Sequence, residues 1–280
     1  MKNPVEDFYN INPELEWNRL FVTPYRRIEF EVVSHYLSKY LPPSGRILDL
    51  GGGPGRYAIA LAKQGYRITL VDISDQNIRF AKKKIQAMGL MKQFDDCFAA
   101  DARFVNQLAN DRFDAVLCMG PLYHLQNIEE RLQCLDQCRR VMKDNAPLLA
   151  TVLPRLTYVR DSLRSGAFQS ANADDLRVFD EIYAKGWSTQ SKVPQIYFCH
   201  PPEINEWLTQ SGFDIVRMAS CHGFAAFLDE RVNQAAGDAE SWNVLIQQVL
   251  STCEDYQSLA MAEHLLAVGI KQSIIGEKEC

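Results

Sequence analysis

The 280-residue sequence has no apolar run approaching the roughly 20 residues of a membrane span. Its opening stretch, MKNPVEDFYNINPELEWNRL, contains no apolar h-region either. The expectation is a cytoplasmic protein with no membrane partner. A basic stripe is also missing, because 30 Lys and Arg stand against 35 Asp and Glu for a net charge of −5. The one compact basic run, Lys82 to Lys84, falls on the polar side of an amphipathic helix with apolar positions Ile78, Ala81, Ile85 and Met88. No nucleic-acid partner is expected. Eight cysteines occur without a single CxxC pair, which predicts reduced, buried thiols. Cys134 and Cys138, one helical turn apart, are read as core packing, and no metal is assigned. Internal repeats and low-complexity tracts are absent too.

What is present reads as a globular α/β chain, 47% apolar and 23% charged. YRRIEFEVVSHYLSKYL (25–41) places Ile28, Val32, Tyr36 and Tyr40 at helical spacing between Pro24 and Pro42. RILDL (46–50) predicts a short buried strand, YAIALAKQG a helix closed by Gly65, and RITLVDIS a second strand. The alternation continues through a helix over 75–88, a short strand near DDCFAAD, a strand in FDAVLCMG, a helix in EERLQCLDQCRRVM and the strand PLLATVL. Such alternation implies a parallel sheet covered by helices on both faces.

From 154 to about 195 the regularity stops, and polar, Gly- and Ser-containing broken helices read as an insertion. It resumes with the helix PPEINEWLTQSGF, the segment DIVRMASCHGF, a helix around 239–252 and a final apolar run, HLLAVGIKQ. The expected division is an N-terminal helical segment (1–44) contributing to the cleft, a core of 45–153 and 200–280, and a substrate lid at 154–199.

The chemistry concentrates where the first strand ends. Gly51, Gly52, Gly53 and Gly55 follow a strand and precede a helix, a context in which backbone approaches a ligand closely and helix N–H groups face its polar parts. The spacing does not fit the dinucleotide pattern Gly-x-Gly-x-x-Gly, because the sixth position counted from Gly51 is Arg56. What fits is Asp49-x-Gly51-x-Gly53-x-Gly55. Asp72, about 20 residues past the loop, stands where any Rossmann-like ribose site needs a carboxylate.

On Asp49, these glycines and the acids Asp72 and Asp101 closing LVDIS and AADA, the chain resembles the class I S-adenosylmethionine-dependent methyltransferases. The resemblance implies a Rossmann-like, seven-stranded, mostly parallel sheet with helices on both faces plus a helical lid. It implies S-adenosyl-L-methionine as cofactor, with Asp72 and Ile73 at the ribose and Asp101 and Ala102 at the adenine. Asp49, Gly51, Gly52, Gly53 and Gly55 would then lie along the methionine and ribose parts. Tyr9 resembles the aromatic that small-molecule members place over the methionine end, the competing reading being a loose anchor.

After the fourth strand the chain reads CMGPLYHL, not Asp/Asn-Pro-Pro-aromatic, which argues against base amines and glutamine amides as acceptors. The segment resembles small-molecule methyltransferases, in which a residue such as Met119 packs on the cofactor and a nearby histidine faces the substrate. His124 is accordingly the candidate base, a histidine bonded to backbone beneath the loop being the alternative. His200 is read as a helix N-terminal residue, and His35, His222 and His264 carry no signal. Trp17, Tyr25, Arg26 and Arg27 face either the cleft or the core.

The insertion supplies Tyr158, Phe168, Phe179, Tyr183, Trp187 and Tyr197, enough aromatic surface to enclose an organic acceptor or to form the lid's own core. The expected function is methyl transfer to a small molecule. The alternatives are an NAD- or flavin-dependent oxidoreductase, which lacks a Tyr-x-x-x-Lys set here, and a non-catalytic S-adenosylmethionine-binding regulatory module. A protein methyltransferase is disfavoured because the lid would close the cleft to a folded chain.

Overall fold

The computed structural model describes residues 3–167, 173–189 and 195–273. The N-terminal stretch that reads as merely polar folds into two short helices, α1 (Pro4–Tyr9) and α2 (Pro13–Asn18). Each starts with an Asn cap followed by proline: the Asn3 and Asn12 side chains each accept a backbone N–H at 3.0 Å. The expected long helix is α3 (Pro24–Tyr40), with Ile28, Val32 and Tyr36 buried.

The regular alternation follows as read: β1 (Arg46–Leu50), α4 (Arg56–Lys63), β2 (Arg67–Asp72), α5 (Asp75–Ala87), β3 (Phe94–Ala99), β4 (Ala115–Cys118), α6 (Ile128–Val141) and β5 (Pro147–Pro154). Met88 departs from its expected apolar role, since α5 ends one residue before it and its side chain is exposed. The insertion holds α7 (Arg155–Arg164) and α8 (Ala173–Lys185), after which come the two-residue β6 (Phe198–Cys199), α9 (Pro201–Gln210) and β7 (Phe213–Ser220). Beyond β7 lie α10 (Asp229–Ala235), the expected α11 (Ala239–Thr252), α12 (Tyr256–Ala260) and β8 (Leu265–Lys271). α10, α12 and β6 are not expected from the sequence.

The strand order is β3-β2-β1-β4-β5-β8-β7, with β6 added beside the end of β5. Among the described residues only β8 runs antiparallel, to both β5 and β7. Side chains alternate across the sheet, so Ile47 of β1 joins one core with Ile28, Ile59 and Ile78 while Leu48 and Leu50 join the other with Leu135 and Trp207. Burial on both faces explains why β1, β2, β4 and β5 are near-continuous apolar runs. The chain reverses its direction of sheet growth between β1 and β4, and in such sheets ligands bind beyond the strand ends at that point.

Among the described residues no helix is long and apolar enough to cross a membrane. The thiols of Cys118, Cys134 and Cys138 lie buried within 4.8 Å of one another, so β4 adds a third cysteine to the pair on α6.

Candidate functional site

A cavity of about 300 Å³ opens beyond the ends of β1, β2 and β4. Its lining includes Tyr9, Asp49, Gly51, Gly52, Gly53, Asp72, Ile73, Asp101, Ala102, Met119 and His124. Gly55 alone among the expected cofactor residues lies outside it. Its N–H donates to the Gly52 carbonyl at 3.0 Å and it caps α4, so it shapes the loop from behind.

The glycines are required by close approach. A Cβ on Gly51, where φ is +74°, would lie 2.5 Å from the Pro121 ring, and one on Gly52 would lie 2.4 Å from the Asp49 carboxyl carbon. Gly51 and Gly52 both donate to the Val71 carbonyl, at 2.7 and 3.2 Å. The loop is thereby pinned to β2.

Asp72 closes this turn. Its Oδ1 accepts from the Ser74 N–H at 2.9 Å and from Asn77 at 3.2 Å, and its Oδ2 accepts from the Gly53 N–H at 2.8 Å. Burial raises its pKa, while these three hydrogen bonds oppose the rise. Oδ2 keeps a lone pair for a hydroxyl donor.

Asp49 differs, because its Oδ2 is buried without any hydrogen-bond partner. Burial pushes its pKa up to about 7, opposed by the Ala58 backbone and reinforced by Asp72. Asp101 is turned to Arg103, whose guanidinium donates at 2.6 Å; this overrides burial and lowers its pKa.

Helices α1 and α2 roof the cavity. The Asn10 side chain accepts from Ser74 Oγ at 2.7 Å, and Arg56 donates to the Trp17 carbonyl at 2.9 Å while its guanidinium lies 3.6 Å from the Trp17 ring centre. The roof brings Tyr9 to His124, whose Nε2 shares a 2.9 Å hydrogen bond with the tyrosine oxygen. Burial pushes the His124 pKa down to about 4, with the Gln195 backbone opposing. The imidazole is neutral at physiological pH, and in either tautomer Nε2 is engaged by Tyr9.

The profile described as a methyltransferase domain matches residues 47–145, from β1 almost to β5. YqeM of Bacillus subtilis (strain 168) is 29% identical over 171 residues, which cover 56% of this chain and 66% of that protein. A ubiquinone biosynthesis O-methyltransferase of Rickettsia canadensis (strain McKiel) is 25% identical over 194 residues, 68% of this chain and 71% of that enzyme. Over residues 47–145 the chain is thus similar to the methyltransferase domain, in agreement with the class I S-adenosylmethionine-dependent methyltransferase resemblance of its glycine loop and acids. The fold agrees: the PH0226 protein of Pyrococcus horikoshii OT3 superposes with a TM-score of 0.60 at 16% identity, covering 95% of this chain and 99% of that one.

This likeness supports S-adenosylmethionine as the cofactor, and the residues present fit it. Asp49 offers a buried, unpartnered carboxylate oxygen to a cationic ligand, and the Gly51–Gly52 backbone lies bare where a Cβ would collide.

A second chamber of about 760 Å³ adjoins the first, and Tyr9, Glu16, Arg19 and Tyr123 line both. Its apolar wall comes from the insertion and the ends of β5 and β6, with Leu153, Tyr158, Val178, Phe179 and Phe198. Of the insertion's other aromatics, Tyr183 is exposed and Trp187 packs on the main core. Tyr197, also buried, donates to Glu203 at 2.5 Å. These three do not line the chamber. Phe168 lies outside the described residues.

Arg26 reaches the chamber, whereas Arg27 pairs with Glu31 at 2.7 Å on the surface. Trp17 and Tyr25 are buried in the core. His200 caps α9, its N–H donating to Glu203 at 2.6 Å.

Sequence reasoning missed the charged groups between the chambers. Glu29 of α3 takes both terminal nitrogens of Arg19, at 3.2 and 3.3 Å. Burial alone would raise the Glu29 pKa, but Arg19 and, when charged, His264 and His222 bring it down to about 2. Glu263 accepts from Tyr25, from Arg26 at 3.2 Å and from Arg164 at 2.8 Å, and these with the nearby histidines overcome burial to hold it at about 2. Glu29 and Glu263 sit on distant parts of the chain, with nothing local in the sequence to mark them.

Proposed function

We propose that this enzyme methylates a small organic acceptor held in the second chamber, with the cofactor in the first. The observation that carries this reading is the shared wall: Tyr9, Glu16, Arg19 and Tyr123 border both spaces, so a donor in one meets an acceptor in the other. The second chamber is of ordinary ligand-site size and is built largely from the inserted helices. A small-molecule acceptor also agrees with the ubiquinone biosynthesis O-methyltransferases among the relatives.

When bound, S-adenosylmethionine supplies an activated methyl group together with its own leaving group. The protein's part is to hold, align and exclude water. In this reading Asp72 takes the ribose hydroxyls on Oδ2, with Ile73 beside it. Asp101 and Ala102 border the adenine, and Met119 packs on the cofactor between them and the glycine loop. Asp49 meets the cationic end, where its unpartnered oxygen gains a partner. Tyr9 stands at the methyl-transfer edge, and His124 steadies its hydroxyl.

Calorimetric titration with S-adenosylmethionine, S-adenosylhomocysteine and NAD tests the cofactor site: the first two bind and NAD does not. Asp72→Ala is expected to weaken S-adenosylhomocysteine about 30- to 150-fold, the equivalent of about 2 to 3 kcal/mol for charge-assisted hydrogen bonds. Unchanged affinity would remove Asp72 from the site. Incubating the enzyme and methyl-labelled S-adenosylmethionine with a cell extract tests the acceptor class. Label is expected in the low-molecular-weight fraction, and label in protein or nucleic acid instead would overturn the small-molecule reading.

A further inference from the structure

We propose that His264, oriented by Glu29, takes the acceptor's proton, and that the acceptor is therefore a neutral hydroxyl compound with an apolar body; this rests on the two-chamber reading above. His264 lines the second chamber at the residue just before β8. Its Nδ1 is buried without a hydrogen bond and lies 3.7 Å from Oε2 of Glu29, a residue that lines the first chamber. Its Nε2 makes no hydrogen bond among the described residues. The Glu29–His264 pair thus spans the wall at which donor and acceptor meet.

The order of the parts is that of a base with an orienting carboxylate. Arg19 grips Glu29 through two hydrogen bonds, and Glu29 stays ionised across the working pH range. An ionised Glu29 favours the tautomer with the proton on Nδ1, which leaves the Nε2 lone pair free for the chamber. The separation of 3.7 Å is long for a hydrogen bond, as such contacts commonly are before substrate binds. His124 is less suited to the task, because its Nε2 is committed to Tyr9 and it does not line the second chamber. His222 lines neither chamber.

The chamber's other charges select the acceptor. Glu16 is paired with Arg19, Glu263 with Arg26 and Arg164, and Asp161 with Arg164. These pairs hold three of the chamber's carboxylates and all three of its arginines, so an ammonium or carboxylate substrate would have to compete with an existing partner. A neutral O–H beside His264 needs no such exchange.

In the transfer, the acceptor oxygen forms its bond to the methyl carbon as the methyl–sulfur bond breaks, the electron pair staying on sulfur. The acceptor's proton passes to His264 Nε2. The positive charge that leaves the sulfonium therefore reappears on an imidazolium beside the Glu29 carboxylate, where it is stabilised.

The test is nitrogen-15 NMR of histidine-labelled enzyme at about pH 8, with and without saturating S-adenosylhomocysteine, the His264 signal being the one lost in His264→Gln. The expected result is the Nδ1-protonated tautomer in the wild type and in Glu29→Asp, reverting to the Nε2-protonated form in Glu29→Gln. An Nε2-protonated His264 in the wild type overturns the proposal, and S-adenosylhomocysteine binding by His264→Gln checks that the variant used for assignment is folded. In parallel, His264→Gln is expected to lower label transfer to the low-molecular-weight fraction by at least about 100-fold while leaving S-adenosylhomocysteine affinity within about twofold. Undiminished transfer would also overturn it. Failure of S-adenosylhomocysteine to bind the wild type would strike the underlying functional reading, an outcome separate from the tautomer.

Discussion

Gly52→Ala is expected to leave the protein folded and to weaken S-adenosylhomocysteine at least about 100-fold, or about 3 kcal/mol, by calorimetric titration. The added Cβ would lie 2.4 Å from the Asp49 carboxyl carbon, 2.5 Å from Oδ2 and 2.6 Å from Leu70 Cδ1. None of these can retreat far, since Asp49 is 1% exposed and Leu70 is fully buried within β2. Relief must come from the loop, which carries the bare backbone and the Asp49 oxygen away from the positions a ligand would use. Gly51→Ala is the companion case, in which the Pro121 ring at 2.5 Å would push the segment bearing Tyr123 and His124 outward. Thermal unfolding of both variants separates loss of binding from loss of fold. Near-normal affinity in Gly52→Ala would mean that Asp49 and the loop do not contact the cofactor.

The second large effect concerns stability in acid. Glu29 and Glu263 have folded-state pKa values of about 2, below the ordinary carboxylate value. Each therefore contributes stability that is present above pH ~4.5 and lost as the pH falls toward 2, on the order of 3 kcal/mol apiece. His124 and His222 are buried neutral, with pKa values pushed down to about 4. Their contribution, of similar order, is present above pH ~6.5 and lost as the pH falls toward 4.

Asp49 acts in the opposite sense. Its pKa of about 7 means a contribution present at low pH and lost as the pH rises from ~3.8 to 7. Four groups weaken the fold in acid and Asp49, with Asp72 in the same direction, resists, so a net loss of several kcal/mol is expected between pH 7 and 3. Urea unfolding followed by tryptophan fluorescence at pH 7, 5 and 3 measures it, and a flat profile would contradict the charge arrangement described here. Glu263→Gln, which deprives Tyr25, Arg26 and Arg164 of a shared acceptor, is expected to cost about 3 kcal/mol at pH 7 and much less at pH 3.

The parallel core was legible because each element carries its own signal: an apolar run for β1, β2, β4 and β5, a helical stripe for α3 and α5, a glycine at the turns. Asp49 and Asp72 were legible because they stand at strand ends beside the glycine loop. The N-terminal helices were not, being too short for a periodic stripe, although Asn3-Pro4 and Asn12-Pro13 are capping signals. His264 and Glu29 come from opposite ends of the chain, and neither has local company that marks it. Their relation exists only once β8 lies beside β5 and α3 has packed on the sheet. Tyr183, Trp187 and Tyr197 show the converse limit, since aromatic content alone does not say which rings border a chamber and which are structural.

The roof over the first cavity bears on turnover. Asn3, Val5, Tyr9 and Glu16 form part of the lining, and α1 and α2 are held through Asn10 at the start of α5 and through the Arg56–Trp17 contact. A cofactor in the first cavity would lie beneath these helices, which are also anchored by the Tyr9–His124 contact and the burial of Trp17 in the core. Undocking of this N-terminal strap is expected to change the fluorescence of Trp17, whose indole lies against the Arg56 guanidinium.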